Sequence, residues 1–231
     1  MKRLIGLLLV LALAGCAAVP SETISTGPNV SVEFLTDAQD FGGFTASPPV
    51  DGESAQILVR AVLAQYPAGF AEQWGDVQIL LVSELRGTDT FAGGDYAGFT
   101  QRIGDGWRMV LDVDRVTAGI VHHEIAHILD GILTEAGLLT EEGWLVYCPG
   151  GFSYGAQNWA DYPDFFVDAY AMTDIREDRA RTFQEAICRG PGAYADSPAL
   201  WLKLSLFSES IREWFDTEGW PEKTIWELGL T

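Results

Sequence analysis

The three histidines of the chain fall within six residues, at His122, His123 and His127. Residues 123–127 read His-Glu-Ile-Ala-His. On a helix, positions i and i+4 share a face, so His123 and His127 project their imidazoles in one direction. Two neutral imidazoles so placed suit one Zn²⁺ per chain. Glu124 is turned about 100° from His123, near enough to handle a water at the metal without being a ligand itself. Zinc acidifies water and polarises carbonyl groups, and Glu124 is then placed to take the water's proton as general base. Ile120, Ile125, Ile128 and Leu129 would bury this helix and hold the ligands rigid. His122 points to a different face and is expected at the surface or as an outer support of the ligands.

A catalytic zinc takes three protein ligands and keeps one position open. No histidine remains to supply the third. It must therefore be an Asp, a Glu or, as the weaker choice, a cysteine. Residue type alone does not select one of the 33 acidic side chains.

The elements that must position these groups are read from periodicity. Residues 53–65 carry Ile57, Leu58, Ala61, Val62 and Leu63 at helical spacing and stop before Pro67. Val77–Leu85 is rich in aliphatic and β-branched residues, as a buried strand is. After a glycine-rich stretch at 87–98, Phe99–Ile103 and Trp107–Val113 flank Gly104-Asp105-Gly106, the pattern of a β-hairpin. Asp114 reads as the N-cap of the histidine helix, predicted to run to Asp130 with Gly131 as its C′ residue. Residues 144–165 mix Trp, Tyr, Pro and Gly as loops do. Two further helices are predicted at 177–188 and about 198–215, the second with Leu200, Leu204, Phe207, Ile211 and Phe215 on one stripe. This order predicts an α+β fold: a small mixed sheet packed on the histidine helix, with a mostly helical C-terminal part.

The N-terminus reads MKRLIGLLLVLALAGC. A basic start and an apolar run too short to span a bilayer comfortably make a secretory signal. Leu13-Ala14-Gly15-Cys16 resembles a bacterial lipobox. Residues 1–15 are then a lipoprotein signal peptide, Cys16 the lipidated first residue and 16–30 a tether, followed by one catalytic domain over 31–231. The expected place is the cell envelope, and the outer membrane if the cell is Gram-negative, since Ala17 and not Asp follows the cysteine. Acyl chains would be the protein's only membrane contact. Outside the cytoplasm Cys148 and Cys188 could pair or stay free, and spacing does not decide which. The formal charge is −19, and loss of Lys2 and Arg3 with the leader takes it to −21. That excludes a nucleic-acid binder working through a basic surface. Oligomeric state is not legible.

Residues 166–183, FVDAYAMTDIREDRARTF, resemble a segment of gluzincin-type bacterial lipoprotein peptidases and of the anthrax-lethal-factor-like group. There a Tyr is followed seven residues later by a Glu that opens an E-x-x-A-x-x-F helix. Here those residues are Tyr170, Glu177, Ala180 and Phe183. GFSYG at 151–155 also resembles a stretch of zinc-binding lipoprotein peptidases. The matched region is about residues 120–185. The resemblance implies a zincin-like metalloprotease domain acting on peptide or protein, with Glu177 as third zinc ligand. It also implies that Tyr170 donates a hydrogen bond to the tetrahedral oxyanion. Where the group usually carries a second acid four residues after the ligand Glu, this chain has Arg181. Two readings compete with the ligand role of Glu177: a capping box with Asp174, and Asp164 as the ligand instead. In zincins generally an edge strand beside the active helix pairs with extended substrate, and either hairpin arm, 99–103 or 107–113, could do so. A zinc amidase acting on cell wall would use the same chemistry. A non-catalytic zinc-binding lipoprotein would have no need of Glu124.

Overall fold

Strand β5 (Val77–Gly87) runs through the middle of a seven-stranded mixed sheet. The computed structural model describes residues 24–27, 29–88, 94–155 and 158–231. Strands β2 (Val30–Phe34) and β7 (Gly106–Asp112) flank β5 in parallel, with Val77 opposite both Val30 and Trp107. Strand β1 (Ile24–Gly27) pairs antiparallel with β2, and β6 (Gly98–Ile103) antiparallel with β7. The far half of β5 pairs with β4 (Phe44–Ser47), which carries β3 (Gln39–Asp40). Both faces of β5 and β7 are covered, which is why their apolar residues run on with little alternation. Ile79, Leu81, Met109 and Leu111 face the main core, whereas Leu80, Val82 and Val110 meet Leu85 and Phe41 on the other side. The predicted hairpin forms across Gly104 and Asp105, with Gly104 at φ +55°.

Two expectations near the N-terminus meet different fates. The leader and Cys16 lie outside the described residues. The stretch expected as tether is partly sheet: Ile24 and Ser25 pair with Val32 and Ser31, and Val30 is buried in β2. Backbone pairing to β2, itself parallel to buried β5, outweighs the small, polar composition on which 16–30 reads as a tether.

Helix α1 (Glu53–Leu63) forms as predicted but buries Ala55, Val59 and Val62, leaving Ile57 58% exposed. The histidine helix, α2 (Ala118–Glu135), is shifted from its predicted ends. Its N-cap is Thr117, whose hydroxyl accepts from the Ile120 N–H at 3.3 Å, not Asp114. Asp114 lies in a turn closed by the Asp112 carboxylate, which accepts the Asp114 N–H at 3.0 Å. Gly131 does not end the helix either. A Cβ there would sit 2.1 Å from the Trp107 ring, so the glycine admits β7's Trp107 against the helix face. That close approach offsets the roughly 1 kcal/mol a helical glycine costs. Gly137, at φ +73°, follows the true end.

A short helix α3 (Glu141–Leu145) precedes the loop region, and α4 (Ile175–Arg189) and α5 (Pro198–Trp214) complete the main core. All five residues of the predicted α5 stripe are buried. Cys148 and Cys188 are free thiols, the first half-buried beside the Tyr154 hydroxyl at 3.7 Å and the second exposed.

The C-terminal turn is fastened to α5 by Glu227. Its carboxylate takes a two-pronged contact from Arg212, the Thr224 N–H at 2.8 Å and the Ser208 hydroxyl at 2.9 Å. Burial alone would raise its pKa, but these donors hold it down at about 2. The depressed value stabilises the fold fully above the unfolded carboxyl's pKa of about 4.3, and that stability is lost as pH falls through 2. Glu227→Gln should therefore cost about 2 kcal/mol at pH 7. The gap from wild type should close between pH 4.5 and 2, as read by urea unfolding at each pH. A gap that stays constant down to pH 2 would rule this linkage out.

Candidate metal centre

Helix geometry delivers the first two groups. His123 and His127, one turn apart on α2, bring their Nε2 atoms to 3.1 Å from each other. Glu177, in the first turn of α4, sets its Oε2 3.1 Å from the His123 Nε2 and 3.6 Å from that of His127. These three residues form a group able to hold a metal ion, their donor atoms within 4.8 Å of one another. Ligands about 2.0–2.1 Å from a tetrahedral ion lie roughly 3.3 Å apart, the scale of this triangle. The Glu177 Oε2 is buried and has no hydrogen-bond partner, although two ring nitrogens face it. An orphaned carboxylate oxygen between two imidazoles fits a cation between the three. Burial would raise the Glu177 pKa, but the facing imidazoles lower it well below the usual carboxylate range.

The competing readings of Glu177 separate here. Asp174 does cap α4, accepting the Arg176 N–H at 2.9 Å, but the Glu177 carboxylate turns to the histidines. Asp164 is exposed and outside the group.

Glu124 lies beside the triad, buried between α2 and β6. Thr100 of β6 donates to its Oε2 at 2.8 Å. Gly98 lets the strand come this near: a Cβ there would be 2.9 Å from Leu111 and 3.2 Å from the Glu124 Oε1. Burial raises the Glu124 pKa, opposed by His127 and His123. Tyr170, half-exposed, places its ring 6.2 Å from the His123 ring. Burial, and then Glu177, push its hydroxyl above the ordinary tyrosine value. These groups line one cleft of about 610 Å³.

His122 departs from expectation. It is buried, with its Nδ1 2.8 Å from the Tyr66 hydroxyl, and desolvation lowers its pKa to about 4. It is a neutral core histidine packed on α1's side of the helix, because Tyr66 supplies the polar partner that a buried imidazole needs.

Apart from Lys203, the groups that aim Glu177 carry no local pattern that marks them. The next residue, Asp178, is fully buried, and its Oδ2 accepts from Trp144 Nε1, Tyr154 Oη and Lys203 Nζ, each at 2.7 Å. The one after, Arg179, reaches α2 and donates to the Asp130 carboxylate at 2.6 Å and the Thr140 carbonyl at 2.9 Å. Three consecutive side chains thus serve three directions: the histidines, α3 with α5, and α2. The GFSYG segment contributes Tyr154 to this anchor. Arg181, where the resembled group has an acid, instead holds Asp168 at 2.9 and 2.6 Å, and Asp168 in turn accepts the Ala171 N–H beside Tyr170. One signal was legible: Lys203 falls on the apolar stripe of α5 between Leu200 and Leu204, where a charge needs a buried partner.

No protein-family model matches the chain, and no curated protein matches it. Among solved structures it is similar to a putative zinc-binding metallo-peptidase from Bacteroides caccae, with 16% identity and a TM-score of 0.47. The likeness covers 77% of this chain and 72% of that one.

Proposed function

We propose that the protein is a zinc-dependent peptidase of zincin-like fold, with His123, His127 and Glu177 as metal ligands and Glu124 as general base. The observation that carries the reading is the convergence of three lone-pair donors beside a buried carboxylate that is not one of them. Two imidazoles and a carboxylate suit zinc among the common divalent ions. Bound there, zinc would acidify a water and polarise the substrate carbonyl. Glu124 takes the proton of that water and later passes it to the leaving amine. Tyr170 reaches over from the α4 side and donates a hydrogen bond to the developing oxyanion. Of the two hairpin arms, β7 is enclosed by β5 and β6, whereas β6 has β7 as its strand partner among the described residues. Extended substrate therefore adds to β6. The buried, hydrogen-bonded Glu124 favours catalysis over a purely structural zinc site.

Glu177→Ala should lower zinc affinity by more than the roughly 10–100-fold that loss of an outer supporting residue costs. Asp164→Ala should leave it unchanged. Metal content after dialysis against a chelator series reads both, and unaltered zinc binding in Glu177→Ala would remove that ligand. Assay of unfolded protein, short peptides and peptidoglycan separates peptidase from amidase.

The N-terminal reading stays with this proposal: export, lipidation at Cys16 and attachment to the cell envelope. Among the described residues no helix is long and apolar enough to cross a membrane.

A further inference from the structure

Resting on the peptidase reading above, we propose that the cleft selects peptides carrying a large apolar side chain, aromatic above all, which lies on a shelf made by Phe44 and Phe99. Among the described residues the edge of β6 away from β7 carries no strand. The Asp112 N–H donates to the Ala97 carbonyl at 3.0 Å. By alternation along an antiparallel pair, Phe99, Gln101 and Ile103 bond to β7, and the backbone groups of Gly98, Thr100 and Arg102 point outward. An extended peptide added there takes its main-chain hydrogen bonds from those three residues.

Side-chain alternation then fixes what each substrate residue meets. Thr100 turns toward α2, where its hydroxyl touches Glu124. A peptide residue opposite Thr100 faces the metal ligands. Its neighbour faces the other side of the sheet, with Phe99. There Phe99 stacks on Phe44 with centroids 4.3 Å apart and planes 12° apart, and Phe41 and Tyr96 pack edge-on against the pair. Phe44 and Phe99 stay half-buried, while Phe41, Val82 and Leu85 beneath them are buried. The stacked pair thus keeps part of its aromatic surface open above a packed base. Both the shelf and the metal ligands line the same cleft, on opposite faces of one edge strand. A flat or bulky apolar side chain gains dispersion and desolvation on such a surface, and a small polar one gains neither. Phe44, one half of the shelf, comes from β4, an element remote from the metal ligands in sequence.

The test uses the zinc-loaded chain on a defined mixture of proteome-derived peptides, with cut sites read by mass spectrometry. Phe, Tyr, Trp, Leu or Met should be enriched at one fixed position near the cut. Phe44→Ala should raise KM about tenfold for a Phe-containing peptide, the scale of one aromatic contact. It should raise KM for a matched Ser-containing peptide much less, so that the Phe-over-Ser preference falls. Phe44→Leu keeps the apolar volume of the β3–β4 hairpin and should shift the preference toward aliphatic residues, which guards against misfolding of the alanine variant. A second arm captures peptides from the same mixture on zinc-loaded Glu124→Gln. Aromatic enrichment among captured peptides, lost in the Glu124→Gln/Phe44→Leu double variant, supports the shelf whether or not wild type cuts anything. If wild type cuts nothing while capture shows that enrichment, the peptidase reading fails and the shelf stands as a binding surface. Cleavage without positional preference, or profiles unchanged in both Phe44 variants, overturns the shelf and leaves the peptidase reading in place. If wild type cuts nothing and Glu124→Gln captures nothing, both fall.

Discussion

Glu124→Gln should hold zinc as tightly as wild type and hydrolyse peptide about 10³-fold more slowly, within the span that general-base catalysis supplies. The substitution keeps size and shape, and the amide oxygen can still accept the Thr100 hydroxyl that donates at 2.8 Å. Helix α2 and the three donor atoms at its surface are left as they were. What disappears is the capacity to take a proton. The carboxylate is suited to that task because two influences on it compete: burial favours its neutral form, and His127 and His123 favour the charged one. Zinc content by atomic emission and kcat/KM on a peptide substrate give the two halves of the result. Equal turnover in variant and wild type would remove Glu124 from the chemistry. Loss of zinc together with activity would mean that the residue is a ligand.

The second large effect is on stability. Asp178→Ala should destabilise the fold by about 3–5 kcal/mol, the cost of breaking a buried pair by removing one partner. Lys203 is fully buried and would keep the Phe165 carbonyl, 2.7 Å away, but no carboxylate to balance its charge. Trp144 and Tyr154 would lose their shared acceptor as well. Adding Lys203→Met should recover a good part of the loss, because replacing both charges by apolar groups removes the uncompensated cation. Urea unfolding of the two single variants and the double variant measures this. A loss below about 1 kcal/mol in Asp178→Ala would be at odds with a buried ion pair. Since Asp178 follows Glu177 directly, the same variant should also weaken zinc binding, which distinguishes an anchor of α4 from a residue that matters to the core alone.

Some of this was written locally. The pairing of His123 with His127 needs only the 3.6-residue period, and the β6–β7 hairpin only its glycines and flanking apolar runs. The α5 stripe was legible for the same reason. Helix ends were not. Asp114 and Thr117 are both good caps, and the choice fell to Thr117 because the Asp112 carboxylate already holds the turn around Asp114. Gly131 looked like a terminator because the indole of Trp107, which needs its bare backbone, comes from another element.

Residue types and the helical period alone set out the chemistry on offer: two imidazoles and a carboxylate on one apolar helix, in a chain of formal charge −19. Packing between elements brought Glu177 to the two imidazoles, set His122 against Tyr66, and placed Asp178, Arg179 and Lys203 inside. The reason is physical. Local geometry sets which way a side chain leaves its own helix, but the ionisable groups that share one small volume are chosen by how whole elements pack. In that packing a buried charge persists because a partner from a remote element meets it.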